Sequence, residues 1–149
     1  MKAAYTVILA ALAGAALPAQ AAWEELRRND QVRLSIDPKT IKRERADTWS
    51  FRYLVDFRQP QGDYKTTVYR SLATKAHIRC KARQIVTVES EAYPGNEAKG
   101  PSLGVMKATG REAEFQKLEP GSSDEDLHKR ICEPRPAQAP KAPAPAPKK

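Results

Sequence analysis

Thr48-Trp49-Ser50-Phe51-Arg52-Tyr53-Leu54-Val55-Asp56-Phe57-Arg58 puts Trp49, Phe51, Tyr53, Val55 and Phe57 on one side of an extended chain and Ser50, Arg52, Leu54, Asp56 and Arg58 on the other. Side chains on a strand alternate between faces, so this period of two predicts a half-buried antiparallel strand. The aromatic stripe reads as core, with lining of a pocket for haem or another apolar ligand as the alternative.

The same period extends on both sides. Val32 to Ile36 alternates and is expected to stop at Asp37-Pro38, a turn-favouring pair. Gln59-Pro60-Gln61-Gly62-Asp63 reads as a hairpin connection into a Thr-, Val- and Tyr-rich strand from Tyr64 to Lys75. Ala76 to Ala82 and Ile85 to Tyr93 continue the pattern, with a turn or bulge near Arg83-Gln84, and a last strand falls around Gly104 to Ala108. Ser122 with Glu125 has capping-box spacing, Asp124, Glu125 and Asp126 suit the positive end of a helix, and Leu127 and Ile131 give it one apolar edge, which predicts a helix from Ser122 to Cys132. A helix this short is marginal alone and needs the sheet. The expected fold is α+β, a single antiparallel sheet of about six strands with a C-terminal helix packed on it.

The ends are expected to stand outside that domain. Lys2 followed by the uncharged run Ala3 to Leu17 and the small-residue pattern Pro18-Ala19-Gln20-Ala21 reads as an export signal cleaved after residue 21. The run is too short for a membrane span, and no cysteine near the cut offers a lipid anchor. Residues 133–149, rich in Pro, Ala and Lys, read as an extended solvated tail, either a spacer across a bacterial cell wall or an end with no partner. The 149-residue chain has a net charge of +8; Lys2, Arg135, Lys141, Lys148, Lys149 and Glu133 belong to the ends, which leaves residues 22–132 near +4. The expected location is the periplasm, cell surface or exterior of a Gram-negative bacterium.

Two cysteines, Cys80 and Cys132, fall in the domain, and His77 and His128 lie close to them. Such a set can hold zinc in principle. An exported protein meets oxidising surroundings, and on a strand His77 and Cys80, three apart, point to opposite faces, so a Cys80–Cys132 disulfide is expected and no metal.

His77, Arg79, Lys81 and Arg83 alternate with Ala76, Ile78, Cys80 and Ala82 and predict a cationic ladder. With Arg52 and Arg58 on a neighbouring strand it would form a patch for a polyanion such as a glycosaminoglycan or lipopolysaccharide phosphates, or for an acidic protein loop. The alternative is a solvated face that blocks sheet-to-sheet association. Nucleic acid is excluded as a partner by export and by the lack of aromatics on that face. The sequence has no phosphate-binding Gly-rich loop, Gly-x-Ser-x-Gly, His-Glu-x-x-His or Cys-x-x-Cys, so no cofactor and no catalysis is expected; Ser71 with His77 or His128 is the one nucleophile pair left open.

Trp23, Ile36-Asp37-Pro38-Lys39-Thr40-Ile41, the strand Trp49 to Phe57, Tyr69-Arg70-Ser71, Cys80-Lys81-Ala82-Arg83, and Leu118-Glu119-Pro120-Gly121-Ser122 leading to Ile131-Cys132 together resemble the surface-adhesin protein E family. The resemblance covers nearly all of residues 22–132, with Phe115 at a position where an aromatic, usually Trp, precedes the Pro-Gly-Ser turn. It implies a sheet of about six strands with its C-terminal helix held by the Cys80–Cys132 bond. It also implies a non-enzymatic binding module for host matrix or serum proteins, with a periplasmic structural or accessory role as the alternative.

Overall fold

The strand read from Thr48 to Arg58 is the third of an antiparallel meander, in a computed structural model that describes residues 22–62 and 68–133. The expected leader, the tail beyond Glu133, residue 63 of the expected hairpin connection and residues 64–67 of the strand expected from Tyr64 lie outside the described residues. β1 (Glu24–Arg28), β2 (Val32–Arg45), β3 (Thr48–Gln61), β4 (Tyr69–Arg79), β5 (Gln84–Tyr93) and β6 (Gly104–Lys107) are neighbours in chain order, and β7 (Gln116–Lys117) pairs with the other end of β5. The helix α1 (Ser123–Cys132) follows.

Seven strands form where about six were expected, and their identities differ in part. β1 was not expected, and the strands expected at Tyr64 to Lys75 and Ala76 to Ala82 form a single β4 that ends at Arg79. β2 does not stop at Asp37-Pro38. Regular pairing with β3 breaks after Asp37↔Arg52 and resumes at Lys42↔Ser50, so Pro38 to Ile41 bulge out opposite Phe51 alone. A bulge is where a strand tolerates proline, which has no N–H for the ladder. Thr40 closes the bulge: its hydroxyl donates to Asp37 O at 2.7 Å and accepts from Arg52 N–H at 2.8 Å.

One sheet face carries the core. Leu34, Ile36, Phe51, Ala76, Ile78 and Ile85 form a buried cluster with Leu118 and Leu127, and Trp49, Tyr53, Val55 and Ile131 pack against it. The aromatic stripe is therefore core. β3 is more deeply covered than a half-buried strand, because Ser50, Leu54 and Asp56 on its opposite face are buried as well. At Asp56 the cover is a loop after β5, whose Glu97 N–H donates to Asp56 Oδ1 at 2.7 Å.

α1 is tied at both ends. Ser122 caps it by accepting from Glu125 N–H at 3.3 Å, while the Glu125 carboxylate accepts from Gly121 N–H at 2.8 Å, one residue earlier than in a standard capping box. Gly121 has φ of 77°, a conformation that glycine adopts without strain. At the other end Cys132 is bonded to Cys80 with 5.5 Å between Cα atoms. Arg130 clasps Glu24 of β1 through two hydrogen bonds of 2.8 and 2.9 Å, and Leu127 between the two ends is fully buried.

The disulfide closes a loop of 52 residues, for which chain entropy alone gives about 4 kcal/mol of stabilisation. Replacing both cysteines with serine is expected to remove up to that amount in urea unfolding, and limited proteolysis should then cut first near Ile131. A thiol titration of the native protein that found two free cysteines would contradict the bond.

Hydrogen bonding from Gly121 N–H, followed by the nearby Lys129 and Arg83 charges, holds the Glu125 carboxyl below its ordinary value of 4.5. A carboxyl lowered in the fold adds stability above its unfolded pKa, and that contribution is lost as pH falls from about 4.5 through the lower folded value. Glu125→Gln should flatten the acid limb of a stability-against-pH curve, whereas Ser122→Ala should cost about 1 kcal/mol at every pH.

Candidate functional site

The six residues expected to form one cationic patch occupy three places. His77 and Arg79 lie on the same face of β4, with Lys75 preceding them. Lys81 and Arg83 do not extend this row, because the chain turns over Cys80–Arg83. Asp47 captures the turn: its backbone carbonyl accepts from Cys80 N–H at 3.1 Å and its carboxylate from Lys81 N–H at 2.9 Å. Arg83 sits at φ of 51° and pairs with Glu125 at 3.1 Å. The Arg79 guanidinium lies 3.7 Å from the centre of the Phe115 ring, a cation–π contact that occupies it. Arg58 is farther along β3, beside a separate cleft of about 410 Å³ that Arg33 and Glu97 also line.

Arg52 is the expected residue with the most informative surroundings. Its cross-strand partner on β4 is Lys75, with Asp37 on its other side and Glu89 beyond Lys75. Two like charges directly opposite each other destabilise a sheet. Arg52 offsets part of this by reaching Glu91 at 3.8 Å. Hydrogen bonds from Ser102 and Tyr93 hold the Glu91 carboxyl below its ordinary value, ahead of any effect of Arg52. The β2 bulge rises beside this row and makes it a cleft of about 480 Å³, with Lys39 and Lys42 on the bulge side and Arg52 and Lys75 across from them. Among the described residues, no carboxylate lies within 4 Å of the Lys39, Lys42 or Lys75 ammonium groups.

Sequence reasoning missed Lys39, Lys42 and Lys75 because the site depends on register across three strands. The one legible signal was Lys75 two residues before His77, in the period already recognised on that strand.

A second charged centre is structural. Arg33 donates to both Asp56 and, at 3.0 Å, Glu97, and Asp56 is only 4% exposed. The pair raises the Arg33 pKa, chiefly through the bond to Asp56. Ser71, fully buried, donates from its hydroxyl to Gly95 O at 2.6 Å and accepts from Ala98 N–H at 3.2 Å. These contacts hold Glu97 and Ala98 at φ of 60° and 56°, which non-glycine residues adopt at some cost. Ser71 is thus a loop anchor and not a nucleophile beside a histidine: His77 lies six residues along the same strand, about 20 Å away, and His128 Nε2 is 3.0 Å from Cys80 O. Among the described residues no cluster of His, Cys, Asp and Glu could hold a metal ion, and no helix is long and apolar enough to cross a membrane.

Fold and surface together define a small disulfide-stapled sheet protein that displays charged side chains on part of the face opposite its main core. The chain belongs to the surface-adhesin protein E family, whose model matches residues 23–133. No curated protein matches it in sequence. Among solved structures, it is similar to crystal form II of protein E from Haemophilus influenzae, at 16% identity and a TM-score of 0.58, covering 74% of this chain and 86% of that one. Protein E from non-typeable Haemophilus influenzae is similar at 15% identity and a TM-score of 0.54, covering 72% of this chain and 74% of the other. At these identities the likeness is one of fold.

Arg33→Ala is expected to destabilise the protein by about 3 kcal/mol, because it leaves the buried Asp56 carboxylate without its cation. Hydrogen exchange should quicken at Glu97 and Ala98, the amides whose acceptors are Asp56 and Ser71. Unchanged urea unfolding would show that the pair carries no weight.

Proposed function

We propose that this protein is an exported, non-enzymatic binding module that recognises a macromolecular partner at the cell envelope or in host matrix through the outward face of β3 and β4. The observation that carries this reading is the row Lys75, His77 and Arg79 on one face of β4, with Arg52 beside it and Lys81 beyond its end. Family membership supports an adhesin-type role. The row is set on the most extensively paired part of the sheet, so a partner meets a rigid surface and binding costs little ordering entropy.

A periplasmic accessory role is the second reading. The Pro/Ala/Lys composition of residues 133–149 favours it, since such a composition suits a spacer.

Replacing Arg52, His77, Arg79 and Lys81 together with glutamate is expected to abolish capture of the purified protein by a panel of immobilised host matrix and serum proteins, with far-UV circular dichroism unchanged. Undiminished capture would remove this face as the contact. Protease added to intact cells should degrade the protein if it acts as an adhesin; release only with the periplasmic fraction would establish the accessory reading in its place.

A further inference from the structure

The cleft beside the β2 bulge has chemistry more specific than a basic face. Three ammonium groups, those of Lys39, Lys42 and Lys75, border it without carboxylate partners among the described residues, and Arg52 is forced opposite Lys75 by register. Asp37 and Glu89 flank this pair across the strands and offset part of the repulsion, and an anion bound between like charges relieves the rest. The cleft also contains acids. The Glu44 carboxylate accepts from the Ser50 hydroxyl at 2.5 Å, and Glu91 is occupied by Ser102, Tyr93 and Arg52. Glu89, which lies across from Lys75 on one side and Lys107 on the other, has no hydrogen bond or ion pair within 4 Å among the described residues. A free carboxylate repels a uniform polyanion but accepts hydrogen bonds from hydroxyl groups. A ligand that satisfies both kinds of group carries an anionic substituent on a hydroxyl-bearing framework.

The concavity is suited to hold one such unit. Its wall is the bulge fixed by Thr40 and Asp37, the latter accepting from Lys39 N–H at 3.0 Å, so the Lys39 backbone is positioned before any ligand arrives. Its volume of about 480 Å³ falls in the range of small-molecule sites.

We infer that this cleft binds a sulfated or phosphorylated saccharide, with Lys39, Lys42, Lys75 and Arg52 holding the anionic group and Glu89 accepting from a sugar hydroxyl. The assignment rests on the proposed role as a binding module and names the ligand class for the part of that face next to the bulge.

Isothermal titration of the full oxidised chain tests it with two probes, a heparin-derived sulfated tetrasaccharide and a diphosphorylated glucosamine disaccharide, with inorganic sulfate and phosphate as controls. At least one saccharide should bind more tightly than the free ions, and the one preferred identifies the source as host glycan or bacterial lipid headgroup. Each of Lys39→Ala, Lys42→Ala and Lys75→Ala should weaken binding by about tenfold, the effect of losing one charge-assisted hydrogen bond. Glu89→Ala should also weaken it; tighter binding in that variant would mean that the carboxylate only repels, and would overturn the saccharide assignment. Equal binding of saccharides and free ions, or no binding of either, overturns it as well. Capture by matrix and serum proteins, measured on the same lysine variants, separates the two ideas. If saccharide binding follows the pattern while capture is absent in the parent protein, the cleft stands and the adhesin role falls; if capture persists without saccharide binding, the reverse holds.

Discussion

The link between Cys80 and Cys132 is the constraint on which the rest of the structure depends. It joins the turn after β4 to the last residue of α1, while Arg130 and Asp126 of the helix reach Glu24 and Arg27 of the edge strand β1. Leu127, one turn and a little more before Cys132, is thereby brought into the cluster formed by Leu34, Ile36, Phe51 and Ile78. A ten-residue helix with one buried leucine cannot hold its position through apolar burial alone, because removing one leucine side chain from water contributes only about 2 kcal/mol. The covalent tie and the Arg130–Glu24 clasp supply what the helix lacks, and β1 gains a reason to stay paired.

This explains which parts of the fold could be read from the sequence. β3, β5 and α1 follow from period and capping residues, because burial on one face imposes alternation and the exposed amides at a helix start select Ser122. β1 escaped notice because Glu24-Glu25-Leu26-Arg27-Arg28 contains a single apolar residue; it is held by ladder bonds and ion pairs, which leave no hydrophobic period. The turn expected near Arg83-Gln84 is present but starts earlier, at Cys80, and its extent escaped for a related reason. It contains no Gly, Pro, Asn or Asp, and Arg83 takes the left-handed conformation itself while Asp47, far back in the chain, supplies the bonds that close it. Long-range partners of this kind have no local signature.

The candidate site shows the same division. Alternation correctly puts His77 and Arg79 on one face, but extrapolating it through Cys80 assigned Lys81 and Arg83 to a strand that had already ended. What replaced them came from a rule that was read with the wrong outcome: Pro38 does interrupt pairing, yet the strand absorbs it as a bulge because Thr40 can bond both Asp37 O and Arg52 N–H. Asp37 O, Arg52 N–H and Lys39 N–H, left without ladder partners, are bonded locally, and the strand resumes at Lys42 in register with Ser50.

That bulge also bears on where the proposed recognition is placed. A flat antiparallel face offers side chains at fixed spacing and nothing to enclose a ligand, whereas a strand that leaves the sheet and returns builds a wall without adding a mobile loop. The wall costs the sheet a few ladder bonds, and the unfavourable Arg52–Lys75 pairing beneath it costs more. Stability alone would select against both, since an apolar residue at position 75 fits the same backbone, although Glu89 across from Lys75 offsets part of the cost. Their coincidence at one concave place, on strands otherwise paired along their length, is the pattern expected of a surface shaped for a charged ligand and held rigid by the disulfide on the other side of the sheet.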